Sequence, residues 1–338
     1  MSKKVIHSIF GIWLALAFHS CMSEPVVEPN TPRGNFEALW EIIDTRYCYL
    51  DYKNIDWDAV YNKYSVKIDT VSGKYSLFDM LGEMLSELQD GHVNLYSDFD
   101  RSRYWNWYTD YPSNFDSDLI FNEKYLGKNY RIAGPFRYRK IAGGRVGYIY
   151  YSSFSGSFSN SNIKAIFDQF SDTEGIIIDV RNNGGGLVTN SDMLASYFFT
   201  EKTLTGYITH KTGSGHSDFS KPTAVYSLPH ENMKWNKRVV VLTNRMSYSA
   251  TNEFVCRMKQ APQAVIMGDK TGGGGGMPLS SELPNGWMVR FSASPMFDAE
   301  MNHTEWGIYP DIEVDLDEMH KALGYDTIIE KAIDALVK

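Results

Sequence analysis

The apolar positions of this chain change rhythm once. Up to about residue 90 they recur at spacings of three and four, as one face of a helix does. Phe36, Leu39, Trp40, Ile43 and Tyr47 form a first stripe, with Asn35 placed to cap it. Trp57, Val60, Tyr61 and Tyr64 form a second behind Asp56. Leu77, Met80, Leu81, Met84, Leu85 and Leu88 form a third, opened by Ser76. These stripes are core faces, and they predict an N-terminal helical subdomain over 34–90. The third helix ends at "QDGHVNLYS", where Gly91 permits a sharp turn into a short strand.

From about residue 144 the apolar residues run together instead. "RVGYIYYSSF", "GIIIDVR", "RVVVLTN" and "AVIMGD" are buried strands, with helices predicted over 187–199 and 249–260. Strand and helix in alternation give right-handed crossovers and a mostly parallel sheet, so the fold class is α/β (α+β) with its core over 91–338. Residues 101–140, aromatic and irregular as in "RYWNWYTDYPSNF", read as a loop-rich wing of that core. Ligands of parallel sheets collect at the carboxyl ends of the strands. Three loops fall there: "RNNGGG", "NRMSYSATNE" and "GDKTGGGGGMP". The last is the oddest. Five glycines are costly to order, so the run is either a floppy linker or backbone in close contact with something.

Composition narrows the function. The 338 residues are 43% hydrophobic, enough for one large core and a smaller satellite. The formal charge is -8 and no cluster of Lys and Arg stands out, which argues against nucleic acid as a partner. The N-terminus, "MSKKVIHSIFGIWLALAFHSC", sets Lys3 and Lys4 before a short apolar run, as a secretory signal does. A cysteine at this point resembles a bacterial lipoprotein signal. That predicts a signal over 1–20, a lipidated Cys21 and a tether over 21–33, although Phe18 and His19 depart from the pattern. The expectation is an exported protein of the periplasm or cell envelope, held to the membrane through a lipid anchor only; the apolar run is too short to span. Cys48 and Cys256 are expected to be buried free thiols. No Cys/His spacing suggests zinc, and no metal or cofactor is expected.

The loops exclude some chemistry. The glycine run lacks the Gly-Lys-Ser/Thr ending of a phosphate loop, and "RNNGGG" lacks the spaced glycines of a dinucleotide site. "TGSGHSD" (212–218) follows no buried strand and reads as a surface loop. "NRMSYSATNEF" is different, because it leaves a buried strand and opens a helix. A serine there sits in the field of a helix N-terminus, where free N–H groups can stabilise an oxyanion. Ser247 or Ser249 can equally be a helix cap. Spacing alone leaves both open.

"LQDGHVNL", "GYIYYSSF", "GIIIDVRNNGGG", "VVVLTNRMSYSATNEF", "VIMGDKTGGGGG" and "WGIYPDIEV" occur in the order seen in C-terminal processing (tail-specific) serine peptidases, which this chain resembles over roughly 36–316. The resemblance implies a ClpP/crotonase-like core, Ser249 as nucleophile, and the N–H groups of Gly185 and Ala250 as oxyanion hole. Most of that family carries a lysine base where this chain has Gly274; Lys270 lies four residues too early. The tricorn-like branch uses a histidine after the third helix, which maps to His92, with a glutamate near Glu305 in its tetrad. A serine beside the histidine in that branch is Gly91 here. Only about fifty residues separate the Asp-Gly-His turn from "GYIYY", too few for the PDZ domain that many relatives insert.

The function so implied is an exported serine endopeptidase acting on peptides or unfolded protein, with His92 as general base. In this reading Gly273, Gly274 and Gly275 offer bare backbone to an extended substrate. Two other functions remain compatible: a non-catalytic binding protein for apolar ligands or peptides on the same scaffold, and an esterase or amidase.

Overall fold

The computed structural model describes residues 28–337. The chain opens with α1 (Pro32–Arg46), α2 (Trp57–Ser65) and α3 (Lys74–Ser86). Asp56 caps α2 as expected, accepting from Ala59 N–H. The other two helices start earlier than their stripes suggest. α1 is capped by Thr31 with Pro32 at its first position, where a missing N–H costs nothing, so Asn35 lies inside it. α3 begins after Gly73, whose φ of 88° suits glycine, and Ser76 lies in its first turn.

The remaining elements alternate. β1 (Asn94–Tyr96), α4 (Asn106–Thr109), α5 (Ser117–Ile120), β2 (Arg131–Ala133) and β3 (Phe136–Ile141) lead into the core. There β4 (Val146–Tyr150), α6 (Asn160–Gln169), β5 (Gly175–Asp179), α7 (Val188–Ser196), β6 (Thr203–Ile208), β7 (Thr223–Ser227), β8 (Arg238–Thr243), α8 (Ala250–Met258) and β9 (Ala264–Gly268) follow. β10 (Gly276–Glu282), β11 (Met288–Phe297), β12 (Ile312–Glu313), α9 (Glu318–Ala322) and α10 (Thr327–Leu336) finish the chain.

The main sheet has the order β12-β9-β8-β5-β4-β3-β2. Its members from β12 to β4 are parallel; β3 runs against them, and β2, antiparallel to β3, completes the edge. Both faces are covered, which is why these strands read as unbroken apolar runs. Ile176, Ile178, Val239 and Val241 pack toward Leu194, Phe254 and Met258 on one side. Ile177, Val240 and Leu242 pack toward Ile328, Ile329 and Leu336 of α10 on the other.

The smaller sheet, β1-β11-β6-β7 with β10 beside β11, is antiparallel. The N-terminal helices do not close a core of their own. Phe36, Leu39, Leu81 and Met84 share one with Val289, Phe291 and Ala293 of β11, so the helical segment and residues near 290 are one packing unit despite their separation in sequence. Cys48 and Cys256 are both buried and free. Cys21 and the signal-like segment lie outside the described residues. No helix among those described is long and apolar enough to cross a membrane.

Candidate active site

β5, β8 and β9 end almost level, with Asp179 opposite Leu242 and Thr243 opposite Gly268. The three conspicuous loops therefore leave the sheet side by side. The β8 loop holds two serines, and the structure separates them. Ser247 is fully buried; its hydroxyl donates to Val180 O at 2.8 Å and accepts from Asn244 N–H. It ties the turn together. Ser249 precedes the first residue of α8 but makes no capping bond. Its φ of 59° and ψ of -120° lie where non-glycine residues are strained, by about 1–3 kcal/mol. Ser249 N–H donates to Gly273 O at 2.8 Å and its carbonyl accepts from Glu253 N–H, which holds the strained residue from both sides.

The strain turns the hydroxyl toward His92. Nε2 lies 2.9 Å from Ser249 Oγ, although 157 residues separate the two. His92 follows α3, in a turn that Asp90 closes by accepting His92 N–H at 2.7 Å. His92 is 3% exposed, and burial lowers its pKa to about 4; the Asp90 charge opposes that shift while Arg290 and Lys53 add to it. Nδ1 has no hydrogen bond of ordinary geometry, although the Gly276 backbone acts on the ring in the sense that favours its charged form.

Glu305 does not touch His92. It receives Lys53 Nζ at 2.7 Å on one oxygen and Gly275 N–H at 3.1 Å on the other. Burial and the Asp90 charge push its pKa up to about 7, against the pull of Lys53. Lys53 also lies 3.8 Å from Asp90 and donates to the carbonyls of Leu88 and Gln89. Glu305 thus acts on the histidine turn and the glycine loop through Lys53 and backbone, not as a direct partner of the imidazole.

The oxyanion groups need a correction. Gly185 packs against Ser249, where a Cβ would come within 2.8 Å of the Ser249 Cβ. Its N–H, however, already donates to Asn183 Oδ1 at 3.1 Å. Ala250 N–H and the N–H groups of Gly184 and Gly186 form no hydrogen bond among the described residues, and both glycines line the cleft above Ser249.

The glycine run is packed on the protein itself. Gly272 to Gly276 are buried, and several of their backbone groups bond within the protein. Gly272 N–H donates to Ser247 O, Gly274 N–H to Glu305 O, and Gly275 O accepts from Met296 N–H. A Cβ at Gly273 would meet Glu305 O at 1.8 Å, one at Gly274 the Tyr248 ring at 2.5 Å, and one at Gly275 Thr304 Oγ1 at 2.3 Å. Gly273 and Gly274 also have φ of 84° and 76°. The close approach is real, and the neighbours are the Ser249 turn and residues 304–307. The run is a buried seam, yet Gly274, Gly275 and Gly276 also line a small cavity with His92 and Ser249.

Gly91 has a similar reason. A Cβ there would sit 2.6 Å from Trp107 Nε1 and 2.9 Å from the Tyr248 hydroxyl, so no serine fits beside His92. Trp107 stacks on Tyr248 at 4.2 Å, which makes residues 101–111 a wall of the site. Lys270 points elsewhere, its Nζ 4.2 Å from the centre of the Tyr309 ring. Lys53, Asp90, Asn183 and Arg290 escaped sequence reasoning. Asp90, two residues before His92, is the one whose position could have suggested a role. No group of three His, Cys, Asp or Glu suited to a metal occurs among the described residues.

Comparison with known proteins adds to this geometry. Residues 145–314 match the model of peptidase family S41, and residues 29–86 that of the tricorn protease C1 domain. A crystal structure from Parabacteroides merdae, assigned as a peptidase, is 50% identical, with a TM-score of 0.87 over 91% of this chain and 97% of its own. The carboxy-terminal processing protease CtpB of Bacillus subtilis is 26% identical over 155 residues, 46% of this chain and 30% of that one. The tricorn protease of Thermoplasma acidophilum is 24% identical over 228 residues, 65% of this chain and 19% of that one. The chain spans less than a third of the length of these two relatives.

Proposed function

Because this chain belongs to peptidase family S41, we propose that it cleaves peptide bonds within peptides or unfolded proteins through a Ser249 acyl-enzyme, with His92 as general base. The 2.9 Å contact between His92 Nε2 and Ser249 Oγ carries the reading. With Nε2 accepting, the ring proton resides on Nδ1, on the side of the Gly276 backbone. A base lowered to about 4 is neutral at neutral pH and ready to accept.

Ser249 Oγ attacks the substrate carbonyl carbon as its proton passes to Nε2. The imidazolium so formed is stabilised by the Asp90 charge and by the oxyanion itself. That oxyanion is received by Ala250 N–H, at the positive end of α8, and by an N–H of the 184–186 turn. The imidazolium then gives its proton to the departing amine, and water, activated by the same ring, hydrolyses the ester. The strained φ of Ser249 supports this role, since a capping serine needs no such conformation.

Tail-directed cleavage, in the sense of the name CtpB carries, belongs to the same proposal. Export with a lipidated Cys21 is supported by the order of charge, apolar run and cysteine at the N-terminus. Replacing Cys21 by Ala should then move the protein from membrane to soluble fractions.

The kinetic test pairs two substitutions. Ser249→Ala should lower kcat by about four to six orders of magnitude without lowering Tm, whereas Lys270→Met should leave kcat/KM near wild type. Turnover surviving in Ser249→Ala, or lost in Lys270→Met, would sink the assignment.

A further inference from the structure

The protein is acidic overall, with a formal charge of -8. The cleft in front of Ser249 has the opposite character. It encloses about 270 Å³, and its walls carry Arg101, Arg103 and Arg290 but no Asp or Glu. Arg103 lies 3.5 Å from Asp100, outside the cleft lining. Arg101 and Arg290 form no ion pair and no side-chain hydrogen bond among the described residues. Arg290 is only half-buried yet stands on β11 opposite Asn94, at the root of the turn that carries His92. Its charge is felt by the imidazole. The lining also has an aromatic part, from Tyr104, Trp105 and Trp107.

Unpaired guanidinium groups in a cleft present planar forks of N–H donors, a shape matched to carboxylate. At physiological salt the net charge of the molecule is screened beyond about 8 Å, whereas groups lining the cleft act at contact distance. Resting on the peptidase reading above, we infer that this cleft selects peptides bearing a carboxylate close to the scissile bond, held by Arg290 and Arg101 while the aromatic wall packs the neighbouring residue. The carboxylate comes from an acidic side chain or from the chain terminus. The same cleft disfavours an apolar ligand, which would leave the guanidiniums desolvated and unpaired.

The experiment compares fluorogenic peptides of one apolar frame. One set carries Glu or Gln beside the cleaved bond, and a second carries a free or an amidated C-terminus. Wild type should cleave the carboxylate-bearing member of at least one set with kcat/KM at least tenfold above its neutral twin, and the advantage should shrink as NaCl is raised. The Glu/Gln set reports a side-chain carboxylate and the terminal set a chain end. In Arg290→Gln, and in Arg101→Gln, which alters only an exposed side chain, that ratio should collapse toward one. Equal turnover of both twins in wild type overturns the inference and leaves the peptidase reading standing, provided turnover depends on Ser249. An unchanged ratio in both variants also overturns it. Absence of turnover for every peptide, with Ser249 unreactive, overturns both readings together.

Discussion

Two buried ionic clusters in this molecule have the same formal charges and opposite characters. Each sets one cation against two carboxylates in a site closed to water. Under the main sheet, Arg181 holds Asp179 through Nε and a terminal nitrogen, at 3.0 and 2.7 Å, and Asp326 at 2.9 Å. Tyr148 donates to Asp179, while Ile328 and Ile329 N–H donate to Asp326. Every member is satisfied at short range, and the cluster clasps the end of β5 to the start of α10. Beside His92, Lys53 meets Glu305 at 2.7 Å but Asp90 only at 3.8 Å. A point charge cannot serve two carboxylates as a planar fork can. Burial, and then the neighbouring Asp90 charge, push Glu305 up to about 7 although Lys53 lies closest to it. The difference teaches what each cluster is for. The arginine cluster fixes two elements, whereas the lysine cluster sets a field next to His92.

Removing the cations is the severest way to break the comparison. Arg181→Met and Lys53→Met should each lower stability by about 3–5 kcal/mol, because each leaves buried carboxylates uncompensated. Only Lys53→Met should also lower kcat/KM per folded molecule, since Lys53 ties Glu305 to the Leu88 and Gln89 carbonyls just before His92. Urea titrations with activity measured at low denaturant separate the two. Equal specific activities would make both clusters mere clasps.

Pressure on the glycine seam is the next largest perturbation. Gly274→Val should cost on the order of 3 kcal/mol, from a positive φ and a Cβ forced into the Tyr248 ring. A variant with wild-type Tm would contradict the buried seam.

A gentler probe is titration. Glu305 is an acid whose folded pKa is raised, so its contribution to stability is present below the ordinary carboxyl range and lost as pH rises toward 7. His92 has the opposite sign: its pKa is lowered from 6.5 to about 4, so its contribution is present above 6.5 and lost as pH falls through 4. The Tm difference between wild type and Glu305→Gln isolates the first effect, and it should move a few degrees in favour of wild type as pH falls from 8 to 5. A difference independent of pH would show that Lys53 holds Glu305 ionised throughout. For kcat/KM, the acid limb of the free enzyme should lie near 4 rather than at the ordinary histidine value.

The sequence showed the α/β class because strands buried on both faces must be apolar without interruption. It misplaced two helix starts, because Thr31-Pro32 and Gly73 set those ends through backbone geometry that an apolar stripe does not record. The glycine run revealed close approach but not the partner, since a missing side chain names no neighbour. His92 and Ser249 were paired by resemblance, as no spacing could join residues so far apart. Lys53, in "DYKNID", and Arg290, in "MVRFSA", carry no local signal at all. Their roles come from tertiary packing of the N-terminal helices on β11.

The central claim is that His92 makes Ser249 a nucleophile. A fluorophosphonate probe, followed by peptide mapping, tests it with no assumption about substrate. The account predicts a single adduct on Ser249 in wild type and in Lys270→Met, and labelling at least a hundredfold slower in a folded His92→Ala. Rapid labelling of His92→Ala, or an adduct on Ser247, would contradict it.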